Sequence, residues 1–96
     1  MKEIEFTWDP RKSEANRRKH GFDFAFAVRV FADPLRHMNT EGDEHGEIRW
    51  YTIGEIDGGV VRVTHTICEE GRIEIYRIIS ARRATPRESK VYRETP

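Results

Sequence analysis

Apolar and polar residues alternate at the start of the chain, with Ile4, Phe6 and Trp8 set against Glu5 and Thr7. Alternation of this kind predicts a short half-buried strand. Asp9-Pro10 then predicts a helix start, with Asp9 as cap and Pro10 in the first turn. Gly21 is placed to end that helix. Ala15 is almost its only apolar residue, so the helix is polar nearly all round and core packing does not account for its surface. Phe24, Ala27, Val28 and Phe31 recur at helical spacing behind Asp23, and Asp33-Pro34 stops them. The polar stretch from Leu35 to Gly46 reads as a mobile acidic loop. Three strands are predicted next, at about Glu47–Ile56, Gly59–Cys68 and Arg72–Ala81. Asp57-Gly58 forms the first turn, a hairpin signal because both central positions need positive φ, and Glu69-Glu70-Gly71 forms the second. Thr85-Pro86-Arg87-Glu88 is a capping box for a last short helix carrying Val91 and Tyr92.

The predicted order is β-α-α-β-β-β-α. Consecutive strands on short turns imply an antiparallel sheet with the helices packed on one face, an α+β fold. Ninety-six residues allow one domain, spanning 1–96, and the chain shows no repeats, low-complexity tracts or linker. The hydrophobic fraction of 36% predicts a modest core, and the charged fraction of 35% a heavily charged surface.

Composition adds one asymmetry. Net charge is zero, but residues 38–58 hold one Lys/Arg and six Asp/Glu. Residues 1–37 hold eight and six, and residues 59–96 eight and five. A local basic surface is therefore compatible with a neutral protein. The one cysteine, Cys68, excludes an internal disulfide. No signal peptide and no apolar run of membrane length is evident. The expectation is a cytoplasmic protein without a membrane association.

Three blocks resemble the BrnT family of toxins. The first is Trp8-Asp9-Pro10-Arg11-Lys12, continuing through Asn16 to Lys19-His20-Gly21 and Phe24. The second runs from Arg49 to Ile53-Gly54. The third is Val63-Thr64-His65-Thr66, then Arg77-Ile78-Ile79-Ser80-Ala81-Arg82, Ala84, Glu88 and Tyr92. Together they span about nine-tenths of the chain in the right order. The resemblance implies a RelE-like fold and a ribonuclease that arrests growth. It also implies a cognate ribbon-helix-helix antitoxin (BrnA-like), with operator DNA reached only through that partner. RNA is the implied substrate, and no cofactor or metal is called for.

RNA cleavage without a metal needs a group to handle the 2′-OH proton, cations for the phosphorane, and an acid for the leaving oxygen. Arginine suits phosphate through its planar fork, and histidine suits proton transfer. The catalytic candidates are Arg49, His65, Arg77 and Arg82. His65 aligns with Val61, Val63 and Ile67, so it is either a satisfied core histidine or the acid–base group. Ideal pleating puts Arg77 with Ile73, Ile75 and Ile79, and Arg82 with Tyr76, Ile78 and Ser80. The two then face opposite ways unless the strand bulges or ends near Ser80. Arg49 lies on the neighbouring strand and either joins the same groove or forms a cross-strand pair with an acid. Lys19 and His20 end a helix whose last turn is basic; they complement the helix dipole or hold RNA. Tyr92 either stacks on a base or closes the core. His37 and His45 lie near Asp43 and Glu44 at no compact metal-site spacing. An inactive module that keeps only partner binding, or a plain nucleic-acid binder, are the rival readings.

Overall fold

The computed structural model describes residues 2–44 and 46–95, without the side chain of Glu44. His45 therefore lies outside the described residues. Strand β1 (Glu3–Thr7) leads into helix α1 (Pro10–His20) and the short helix α2 (Phe24–Ala27). A 3-10 helix at Val28–Ala32 continues α2, so the helical stripe is split between two windings. Strands β2 (His37–Glu44), β3 (Glu47–Ile56), β4 (Gly59–Glu70) and β5 (Ile73–Arg83) follow, and α3 (Pro86–Glu94) closes the chain.

The α+β class agrees with the sequence reading, but three features of the arrangement differ. The acidic stretch after Leu35 holds strand β2 rather than a loop, antiparallel to β3. It is an edge strand held by main-chain hydrogen bonds, so it needs no apolar alternation to reveal it. The sheet is mixed, with order β1-β5-β4-β3-β2 and β1 parallel to β5. The helices lie on both faces: α1, α2 and the 3-10 helix line the inner face, and α3 the outer face. Val61 packs in the inner cluster and the adjacent Val60 in the outer one with Tyr92.

The polar character of α1 has a physical explanation. Asp9 caps it, its carboxylate accepting from the Arg11 N–H at 2.9 Å, and Gly21 ends it at φ 90°. Its buried residues are Ser13 and Asn16. Ser13 Oγ accepts from the Phe24 N–H at 2.9 Å. Asn16 donates to the Phe22 carbonyl at 3.0 Å and accepts from the Ala81 N–H at 3.1 Å. β1 covers β5 only as far as Arg77. Asn16 thus satisfies an edge N–H beyond the end of β1, and the helix docks by hydrogen bonds rather than an apolar stripe.

The inner core joins Phe24, Ala27 and Val30 to Val61, Val63, Ile78 and Ala81, all at most 3% exposed. Gly54 lets the 3-10 helix approach β3. A Cβ there would lie 2.9 Å from the Val30 carbonyl oxygen and 3.2 Å from Val30 Cβ. Gly54→Ala is expected to lower stability by roughly 1 to 3 kcal/mol, because backbone must shift. A urea midpoint equal to wild type would show that the 3-10 helix is not tightly seated.

Candidate functional site on the outer sheet face

Strand register decides which side chains share the outer face. On β4 and β5, Val63 is paired with Ala81 and Thr64 with Ser80, but His65 is paired with Ile78. Ile79 is the extra residue, a β-bulge. Without it Arg77 and Arg82 would face opposite ways. With it, Ile78 and Ala81 both enter the inner core, each 1% exposed. Arg77, paired with Thr66, and Arg82, paired with Arg62, then share the outer face. Arg49 and Tyr51 occupy the same face of β3, since Tyr51 is paired with Thr64. Four arginines are thus presented by three adjacent strands.

Carboxylates pair with these cations. Arg82 donates to both oxygens of Glu88, at 2.8 and 3.1 Å. Arg62 donates to Glu88 at 2.8 Å and to Glu41 at 2.9 Å, and its guanidinium lies 3.9 Å from the Tyr51 ring centroid. Thr64 donates to the same Glu41 oxygen at 3.0 Å. Arg77 donates to Glu47 at 2.9 Å. Arg82 beside Glu88 holds that carboxyl down to about 2, with the Thr85 N–H and Arg62 assisting against burial. Burial pushes the Glu41 carboxyl up, but Arg62 and Thr64 outweigh it and hold it below its ordinary value. Two guanidinium groups sharing one anion is an arrangement that also suits a phosphate.

The other sequence candidates lie elsewhere. His65 is fully buried on the inner face, stacked on Tyr76 at 4.9 Å and 6°. Its Nε2 meets Thr52 Oγ1 at 2.8 Å, and its Nδ1 lies 3.3 Å from the Thr66 carbonyl oxygen. Burial lowers its pKa to about 4. The structure therefore gives it the position of a core histidine, out of reach of the arginine face. Tyr92 is 7% exposed and packs on Ile53 and Val60. Its hydroxyl donates to Asp33, and burial followed by that carboxylate pushes its pKa up to about 12. Its ring closes the outer core and also forms part of the wall of the cavity that His37 lines. Lys19 and His20 end α1, which docks beside β5 and carries neither onto the outer face.

Sequence reading did not single out Arg62, and it weighed His37 only as a loop residue at no metal-site spacing. Arg62 was legible, since it sits between Val61 and Val63 and so must face away from them. His37 is paired with Ile53 on the outer face, 5.6 Å from the Tyr92 ring. It lines a cavity of about 240 Å³ with Tyr51, Arg87 and Glu88. Its strand was taken for a loop, which hid it. Among the described residues, no three His, Cys, Asp or Glu side chains gather as a metal site would require. No helix among them is long and apolar enough to cross a membrane.

The protein is α+β, with helices on both sheet faces and Arg49, Arg62, Arg77 and Arg82 together on the outer one. Residues 8–88 match the family model described as ribonuclease toxin, BrnT, of type II toxin–antitoxin system, and the chain belongs to that family. A comparison with curated proteins returned no match.

Proposed function

We propose that this chain is a toxin endoribonuclease whose active surface is the outer sheet face. The observation that carries the reading is the β5 bulge, which puts Arg77 and Arg82 beside Arg62 and Arg49. Membership of a ribonuclease toxin family supports it. Arg77 and Arg82, with side chains 46% and 38% exposed, would take the scissile phosphate. Arg62, only 17% exposed, would hold Glu88 and Tyr51 in place beneath it. In the reaction the 2′-oxygen attacks the adjacent phosphorus and loses its proton, while the bond to the 5′-oxygen breaks and that oxygen gains one. The products are a 2′,3′-cyclic phosphate and a 5′-hydroxyl. Arginines bear the growing charge, so no metal is needed. His37 replaces His65 as the imidazole for proton exchange, because it shares a cavity with Glu88.

The rest of the reading comes with the family. The fold is a RelE-like variant acting as one domain in the cytoplasm. A ribbon-helix-helix antitoxin neutralises it and alone contacts operator DNA. The test is cleavage of single-stranded RNA by the purified protein. Expected are cyclic-phosphate ends, no loss of rate with a chelator, and slower cleavage by His37→Gln. Carboxylate pairing of Arg62, Arg77 and Arg82 favours a second reading, an inactive module that only binds its partner. Soluble expression without growth arrest, and intact RNA in the assay, would decide for that second reading.

A further inference from the structure

We propose that the uncovered end of the inner sheet face is the antitoxin's docking surface, and that it receives an apolar segment flanked by lysine or arginine. The proposal rests on the toxin–antitoxin part of the reading above and not on RNA cleavage. The α1, α2 and 3-10 helices cover the half of this face that holds Ile56, Val61 and Val63. Toward the other end, Met38 and Trp50 share the inner face with Thr52 and His65 by register, and Ile48 continues the β3 alternation. No helix among the described residues covers them. Ile48 is 50% exposed, Met38 43%, and Ile4, on the opposite edge strand, 40%. Two depressions of about 620 and 340 Å³ meet here, both lined by Met38 and Tyr76. Single exposed apolar residues need no explanation, but a contiguous set across the sheet marks an interaction surface.

The rim selects the occupant. Asp43 is paired with Ile48, and Glu69 lies directly opposite Glu74 across β4 and β5. Like charges placed so are unfavourable in the free protein. Lys2 pairs with Glu69 at 2.5 Å and also lies within the field of Glu74, so one lysine faces two carboxylates. Arg36 lines the smaller depression, but the larger is lined by Glu69 and Glu74 and, among the described residues, by no Lys or Arg, so a polyanion such as RNA is repelled there. A second copy in a two-fold contact would bring one acidic rim against another. A partner with apolar residues between cations matches both the centre and the rim.

The test is titration calorimetry of the intact chain with its antitoxin, alongside RNA cleavage by the same variants. Met38→Glu with Ile48→Glu is expected to weaken binding by about 30-fold, as for loss of a central apolar anchor. Both residues are exposed, so the melting curve should stay close to wild type. Asp43→Asn with Glu74→Gln is expected to slow association and flatten its dependence on salt. RNA cleavage should be unchanged in all of these variants, so failure here is distinct from failure of the ribonuclease reading. Antitoxin affinity equal to wild type in the Met38/Ile48 variant overturns the proposal. So does loss of self-association in that variant with antitoxin binding intact, which would make a second copy the occupant. Altered RNA affinity with antitoxin binding intact would make nucleic acid the occupant and overturn it equally.

Discussion

Arg82→Ala and Arg77→Ala are each expected to slow RNA cleavage by about 10²- to 10³-fold, the usual effect of removing one preorganised donor from developing charge. The loss should fall on kcat more than on KM, because phosphate charge grows in the transition state. Arg77→Lys and Arg82→Lys should recover only part of it, since an ammonium lacks the paired donors of a planar fork. The double alanine variant is expected to fall short of the product of the single effects, because the two groups act on one phosphate. Folding should survive. The Arg77–Glu47 pair is about half exposed on both sides, and such pairs contribute about 0–1 kcal/mol. Glu88 retains Arg62 and the Thr85 N–H after Arg82 is lost. The measurement is single-turnover cleavage of a labelled RNA, with thermal melts of every variant. Wild-type rates in folded Arg77→Ala and Arg82→Ala would remove the outer face from the mechanism.

The carboxylates on this face make the same reading testable from the other side. Glu88 sits between two guanidinium groups and Glu47 on a third, each in a position that an RNA phosphate would contest. Anion-shaped partners keep the arginine rotamers extended at little entropic cost when the substrate arrives. They also offset the local positive charge, which is how an arginine-bearing face coexists with a net charge of zero.

Much of this fold was legible in the residues, and what was hidden has physical causes. Strand β1, the Asp57-Gly58 hairpin and the α3 capping box are read from local chemistry. Asp57 and Gly58 do adopt positive φ, at 50° and 86°, and Thr85 and Glu88 do cap each other. Strand β2 was hidden because an edge strand pairs through its main chain and leaves its side chains polar. The shared face of Arg77 and Arg82 turned on one residue. Period-two reading separates five positions onto opposite faces, and only the extra residue at Ile79 reunites them. The sequence admitted a bulge near Ser80 without requiring one, because the cause is tertiary: both Ile78 and Ala81 must enter the same core. α1 was opaque for a related reason, since Asn16 docks it to a main-chain N–H that no pattern of side chains reveals. His65 was balanced between core and catalysis, and its alignment with Val61 and Val63 was the better guide to its position.

Stability is expected to fall by roughly 3 kcal/mol between pH 6.5 and pH 4, through His65 alone. Its folded pKa is about 4 because burial disfavours the imidazolium, against an ordinary 6.5 when unfolded. Between these values the unfolded chain binds the proton and the folded chain does not. Stability is therefore complete above pH 6.5, declines as the pH falls, and loses no more to this group below 4. Glu88 acts in a lower window. Its folded value near 2 lies below its ordinary 4.5, so its contribution is complete above 4.5 and is lost as the pH falls toward 2. The two are separable by substitution. Thr52→Val with His65→Phe removes both partners of the buried Thr52–His65 bond and keeps an aromatic ring against Tyr76. Removing both avoids an unsatisfied buried hydroxyl, which would cost about 1–3 kcal/mol. Urea unfolding of this double variant should show a flat profile from pH 6.5 to 4.5, while wild type slopes downward over the same range. Its RNA cleavage at pH 7 should match wild type, since His65 faces the core and not the arginines. A slope equal to wild type would place the acid sensitivity on another group, and loss of cleavage in the folded variant would return His65 to the mechanism.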